Sequence, residues 1–168
     1  MKRDQLTQLK IKILALKHES CKFANYQDEM EYIVTHGKRN TFIKNLVSDL
    51  KGNTLVLFNY VEKHGEPLFD LINKSIGDTK KVFFVHGGVE ASEREEIRRL
   101  AEVNDNCVII ASYGTFSTGI NIKNLHNIIF ASPSKSRIRN LQSIGRVLRK
   151  GDNKAQAVLY DIADDFSR

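Results

Sequence analysis

Thr54-Leu55-Val56-Leu57-Phe58 is a short unbroken apolar run, the pattern of a strand covered on both faces. Three more such runs follow, Val82-Phe83-Phe84-Val85, Cys107 to Ala111 and Ile128-Ile129-Phe130-Ala131, and Ala157 to Asp161 reads as the last strand. Stretches with helical period separate them. Phe42, Leu46 and Leu50 recur every fourth residue, Ile43 and Val47 widen that stripe, and Gly52 stands where a helix end favours a left-handed residue. Pro67 can open a second helix along Leu68, Leu71, Ile72 and Ile76, closed by Gly77. Ser92 and Glu95 read as a capping box for a third helix with Ile97, Leu100 and Ala101 inside. A fourth helix is expected over 136–150. Strands alternating with helices through short links predict an α/β fold with a parallel sheet between helical layers, three layers in all.

Upstream, residues 9–16 begin with strict alternation of Lys and apolar residues, as in a half-buried strand. Residues 17–38 are mixed, with a short helix from about Gln27 to Val34. We therefore divide the chain into 1–38, a linker and strand from a preceding domain, and 39–168, the regular α/β unit.

No apolar run among the 168 residues approaches the roughly 20 needed to span a bilayer, and the N-terminus lacks a secretory pattern. A cytoplasmic protein is expected. Cys21 and Cys107 give no disulfide framework; Cys107 reads as a small core residue. His18 and Cys21 could share a metal only with a second ligand pair, which the sequence lacks. The formal net charge is +6, and Lys135, Arg137, Arg139, Arg146, Arg149 and Lys150 crowd one segment, which suits a polyanionic partner.

That segment contains Gln142-Ser143-Ile144-Gly145-Arg146-Val147-Leu148-Arg149. On a helix, Arg139, Gln142, Arg146 and Arg149 share one stripe, while Leu141, Ile144 and Leu148 share the buried one. Guanidinium groups a turn apart, beside a carboxamide, can fork onto phosphate oxygens. A solvated basic face is the plainer reading of this segment alone. The run Ala111-Ser112-Tyr113-Gly114-Thr115-Phe116-Ser117-Thr118-Gly119-Ile120-Asn121 follows a strand and reads as a polar loop whose hydroxyls and amides could hold phosphates. In a parallel sheet, the loops after Phe58, Val85, Ala111 and Ala131 share one rim, where ligands gather.

Together these stretches resemble the C-terminal RecA-like motor domain of superfamily 2 helicases, a P-loop-NTPase-like fold. Gln142, Gly145, Arg146 and Arg149 match one family motif, and Val108 to Asn121 the motif before it. Leu55 to Asn59 and Val85-His86-Gly87-Gly88 match two earlier ones, over about residues 39–162. Asn121 departs from the more usual Asp and brings no negative charge. Finer likeness, in Ile110 to Gly114, Phe116 to Ile120 and Ile144 to Lys150, is to the recombination helicases of T4-type phages.

The resemblance implies a second motor domain of an ATP-dependent DNA helicase or translocase, working on branched DNA in recombination, repair and replication restart. In an infected host cell it would act in the cytoplasm. It implies Arg149, Arg146 and Gln142 as catalytic residues, with Arg149 as arginine finger. Gly119, Asn121, Arg146 and Arg149 would bind ATP at the sheet rim. Asn59, Gly87, Gly88, Ser112, Thr115 and Ser117 would contact DNA, and Tyr113 and Phe116 could stack on bases. No Gly-x-x-x-x-Gly-Lys-Ser/Thr occurs in the sequence. The P-loop and the Mg²⁺ ligands are therefore expected on a separate N-terminal RecA-like domain, with this chain one part of a longer protein. The rival readings are a non-catalytic RecA-like nucleic-acid-binding module, an RNA-acting or restriction-type motor domain, and a flavodoxin-like small-molecule domain.

Overall fold

The computed structural model describes residues 9–118, 122, 124–134, 136–150 and 157–166, with the backbone alone at 9, 117–118 and 145–150. Six strands form one sheet: β1 (Leu9–Lys17), β2 (Thr54–Phe58), β3 (Lys81–Val85), β4 (Cys107–Ser112), β5 (Asn127–Phe130) and β6 (Ala157–Asp165). Their order is β1-β6-β5-β2-β4-β3, and every neighbouring pair is parallel. The apolar runs explain the centre: β2, β4 and β5 are buried almost throughout. β3 is less buried than its apolar sequence suggests, because it is an edge strand and only Val85 is fully covered.

Helices α1 (Tyr26–Thr35), α2 (Gly37–Asp49), α3 (Glu66–Ile76), α4 (Ala91–Val103), α5 (Tyr113–Thr118) and α6 (Arg137–Lys150) complete the layers. Ile43, Val47, Leu68 and Ile72 of α2 and α3 pack with Val56, Val108, Ile110 and Ile129 on one face. Ile97, Ala101, Tyr113, Phe116, Leu141 and Ile144 of α4, α5 and α6 pack with Leu55, Leu57, Ile109 and Ile128 on the other. The alternation of the strands thus feeds two cores.

Residues 9–17, where the sequence reading expected a strand over 9–16 belonging to a preceding domain, pair with β6 along their whole length in the same sheet. Two local expectations differ from the structure, and one element was not anticipated. α4 begins at Ala91 with Glu90 as its N-cap and no side-chain cap, so the Ser92–Glu95 box does not form. The Glu95 carboxylate is taken by Arg98 one turn on, and Glu96 likewise by Arg99. The polar run after β4 is helical over 113–118 rather than a loop. A single π-turn, Val61–Gly65, precedes α3 and has no apolar periodicity to announce it. It is held close to the sheet, since a Cβ on Gly65 would lie 2.6 Å from the Phe58 ring.

Asn53 ties the start of β2 to its neighbours. Its carboxamide donates to the carbonyls of Ala101, Asn104 and Asn124 at 2.8–2.9 Å and accepts from Cys107 N–H at 2.8 Å. Its backbone N–H donates to His126 Nδ1 at 2.9 Å. Gly52, immediately before, has φ +91°, and a Cβ there would meet His126 Cγ at 2.6 Å. Gly52→Ala therefore forces a left-handed Ala and displaces a ring already engaged by Asn53. It should cost about 1–3 kcal/mol, read as a lowered urea midpoint with an unchanged m-value.

Candidate functional site

All six strands run the same way, so their carboxyl ends share one rim. That rim collects Asn59 after β2, His86-Gly87-Gly88 after β3, Ser112 and Tyr113 at the β4–α5 junction, and Ala131 to Ser134 after β5. Asn59, Gly87 and Gly88 are exposed. The Gly88 amide donates to His86 Nδ1 at 3.0 Å, which folds the glycine turn over its own preceding ring. The Asn59 Nδ2 donates to Pro133 O at 2.9 Å, so its carboxamide oxygen is the part left to solvent.

The remaining rim candidates have local work. Ser112 Oγ accepts from Thr115 N–H at 3.1 Å and donates to Thr115 Oγ1 at 2.7 Å, which caps the first turn of α5. Thr115 is buried, whereas Ser112 is half-buried. Tyr113 and Phe116 are buried in the core, so neither offers a face for stacking. Tyr113 Oη donates to Ser132 O at 2.8 Å, and burial pushes its phenol up, which keeps that proton in place. Ser117 lies on the α5 backbone with its side chain outside the described residues, and Gly119 and Asn121 also lie outside them.

The basic stripe is separate from the rim. α6 leaves β5 at the rim and must reach the opposite end of the sheet to enter parallel β6, so it runs back along the strands. Arg137, at its start, donates through Nε to Asp161 at 2.7 Å. Position 149 is about 18 Å further along the axis, at roughly 1.5 Å per residue. Arg139 and Gln142 are exposed, and among the described residues neither has a hydrogen-bonding partner. Ile144 is fully buried against the sheet. The register of α6 carries positions 146 and 149 along the same stripe as 139 and 142, with the side chains of Arg146 and Arg149 outside the described residues. The sequence reading put the arginines and the polar loops at one rim; the parallel topology sets them along one helix and across one edge.

Behind the rim lies a buried polar assembly that no motif marked. His64, on the π-turn, is fully buried, with Nδ1 at 2.7 Å from Ser132 Oγ and Nε2 at 3.0 Å from Asn40 Oδ1. Asn40 Nδ2 donates to Val34 O, and the Asn59 N–H donates to Ser132 Oγ at 3.1 Å. Arg39, also fully buried, donates from Nη1 to Ala131 O at 2.5 Å. It also grips both oxygens of Asp164, at 2.7 and 3.1 Å. Asp164 in turn meets His18 Nε2 at 2.8 Å, and the His18 ring stacks on Phe166. His18 thus serves Asp164, while Cys21 is exposed; no metal-holding group of three or more His, Cys, Asp or Glu occurs among the described residues. Sequence reasoning passed over His64, Ser132 and Asp164, which lie far apart in the chain, and took Arg39 only as the start of the regular unit and part of the family likeness; a His in a polar stretch carries no sign of burial.

Desolvation, helped by the positive charge of Arg39, lowers the His64 pKa from 6.5 to about 3. His64 is therefore neutral in the folded chain, whereas in the unfolded chain it takes up a proton near pH 6.5. Its contribution to stability is complete above about pH 6.5 and is lost as pH falls toward about 3. Between pH 7 and pH 5, the wild type should lose about 2 kcal/mol more than His64→Asn, measured by urea unfolding of both proteins at each pH.

Comparison with known proteins places this geometry. Residues 37–151 match the model of helicase conserved C-terminal domains. The chain is 40% identical over 172 aligned residues to the ATP-dependent DNA helicase uvsW of Enterobacteria phage T4, covering 98% of this chain and 34% of that protein. It is 29% identical over 129 residues to the putative ATP-dependent RNA helicase L396 of Acanthamoeba polyphaga mimivirus, covering 76% of this chain and 23% of that one. The crystal structure of T4 UvsW superposes with a TM-score of 0.82 at 39% identity, over 95% of this chain and 33% of that chain. The E. coli DEAD-box protein SrmB, at 14% identity and a TM-score of 0.59, shares the fold alone. The chain thus spans about a third, or less, of the length of the curated relatives it matches. With its six-stranded parallel RecA-like sheet, the chain belongs to the helicase conserved C-terminal domain family.

Proposed function

We propose that this chain is the second motor domain of an ATP-dependent DNA helicase or translocase, and that it completes a nucleotide site shared with a separate P-loop domain. The observation that carries the reading is the exposed face of α6, where Arg139 and Gln142 have no side-chain partner among the described residues, on the stripe that continues to positions 146 and 149. A row of such donors would fit a polyphosphate laid along the helix. Arg149, the arginine finger, and Arg146 would hold the terminal phosphate of ATP, and Gln142 would orient the group that attacks it. Gly119 and Asn121 would line the nucleotide from the segment after α5. Bound ATP supplies the phosphoryl group whose transfer to water drives the motor. Mg²⁺ would be held by the P-loop domain.

The rim is the second half of the proposal. Asn59, Gly87 and Gly88 present a carboxamide oxygen and open backbone to solvent; Ser112, at the end of β4, and Ser117, on α5, would add hydroxyls beside them, and buried Thr115 would act only by holding Ser112. Such groups read a phosphate backbone without reading sequence. The domain would then turn closure against the α6 face into a step of a nucleic-acid strand along the rim. Branched DNA in recombination, repair and replication restart is the substrate class we propose, on the strength of the resemblance to a phage DNA helicase. The RNA-acting alternative draws support from the similarity to a putative RNA helicase; equal affinity for single-stranded RNA and DNA would favour it.

In the protein containing both motor domains, Arg149→Ala should lower ATPase kcat by about 10³-fold or more with a much smaller change in ATP affinity. Wild-type turnover in that variant removes Arg149 from the role. The 168-residue chain by itself should hydrolyse no ATP; robust hydrolysis by the pure chain means that a complete site has been overlooked.

A further inference from the structure

The hydrogen-bond directions around Ser132 admit one arrangement. Asn40 Nδ2 is committed to Val34 O, so Asn40 Oδ1 is an acceptor and His64 Nε2 must carry the proton that reaches it. His64 Nδ1 is then a bare lone pair, and Ser132 Oγ must donate to it. That turns the serine oxygen's own lone pair toward the Asn59 N–H, which donates to it. The chain of donors runs Asn59 to Ser132 to His64 to Asn40, with no second tautomer able to satisfy every member.

The same serine is held from other sides. Its carbonyl accepts from Tyr113, and the carbonyl before it, of Ala131, accepts from Arg39. Asn59 also reaches Pro133 O through its side chain. The segments leaving β2, β4 and β5 are therefore joined at one residue, and the π-turn that follows Tyr60 brings His64 back beneath them. π-turns of this kind recur at functional sites, where they re-aim a side chain.

We propose that His64 is a positioning residue for the nucleic-acid rim: as the Nε2–H tautomer it orients the Ser132 hydroxyl, which fixes the Asn59 amide and the 131–133 segment that the bound strand follows. This role rests on the reading that the rim binds nucleic acid. His64 touches no strand itself; it acts through Ser132.

The test uses two substitutions that divide the imidazole. His64→Asn places its carboxamide near the Nδ1 position and can keep an acceptor for Ser132. His64→Gln reaches the Nε2 position and keeps only the donor toward Asn40. Ser132→Ala removes the junction without touching His64. Two readouts are taken on the full chain: hydrogen exchange of the Asn59 amide by NMR, and affinity for a fluorescent oligothymidylate. Ser132→Ala and His64→Gln should accelerate Asn59 exchange and weaken binding by about five- to tenfold, the effect of one buried hydrogen bond. His64→Asn should stay nearer the wild type in both, and the Ser132→Ala/His64→Gln double variant should be no weaker than either single one. Unchanged affinity in Ser132→Ala, while Asn59→Ala binds weakly, overturns the positioning role and leaves the rim reading standing. Additive losses in the double variant overturn it as well. A wild-type chain that binds no oligonucleotide overturns the rim reading, and the positioning role falls with it.

Discussion

The parallel direction of the sheet is the constraint on which the rest depends. Parallel strands cannot be joined by tight hairpins, so each connection crosses the sheet through a helix and each strand exits at the same edge. The exits crowd together, and their backbone groups lose water without gaining ladder partners. Ser132 answers that problem at the centre of the edge. Its hydroxyl takes the Asn59 amide, its carbonyl takes the Tyr113 phenol, and the carbonyl before it takes Arg39. Each partner comes from a different element, so the rim is ordered by mutual satisfaction rather than by any one loop.

Arg39 shows how that order is extended to the far edge. A buried guanidinium is costly unless both its charge and its donors are met. Asp164 meets the charge in a two-point grip, and Ala131 takes a remaining donor. Asp164 lies on β6, where Asp165 pairs in register with Lys17, and His18, just past β1, binds Asp164 from the other side. The residues at the end of β1 are thereby fastened to the same assembly as the rim. This is why the first strand, which its alternating sequence announces, is fastened into this sheet.

The fold was legible where one physical cause dominated. Burial on both faces writes an uninterrupted apolar run, so β2, β4 and β5 could be read directly, and a 3.6-residue period marked α2, α3 and α6. Legibility failed where two causes competed. Ser92 and Glu95 carry a cap signature, but Arg98 binds the Glu95 carboxylate and the helix starts earlier. Phe83 and Phe84 read as central-strand residues, yet β3 is an edge, because strand order depends on crossovers that local pattern does not encode. The polar run after β4 reads as a loop until Ser112 is seen to cap it into a helix. In the candidate site, exposed Asn59, Gly87, Gly88 and Gln142 could be found from motif and position. The buried set could not, since the pairs His64–Ser132 and Arg39–Asp164 are separated by 68 and 125 residues.

An apolar replacement for this buried set would satisfy the core but not the edge. Well-packed hydrophobic residues can match or exceed the stability of a buried polar group, because no desolvation has to be recovered. They have no direction, however, and would leave the Asn59 amide and the Ala131 carbonyl to find partners among several loops. A hydrogen-bonded serine flanked by a neutral histidine allows one donor pattern and so one loop arrangement. For a domain whose proposed task is to present fixed backbone groups to a moving strand, specificity of arrangement matters more than the last increment of stability. The lowered pKa of His64 confines the penalty of that choice to acid, where the unfolded chain takes up a proton that the buried ring does not.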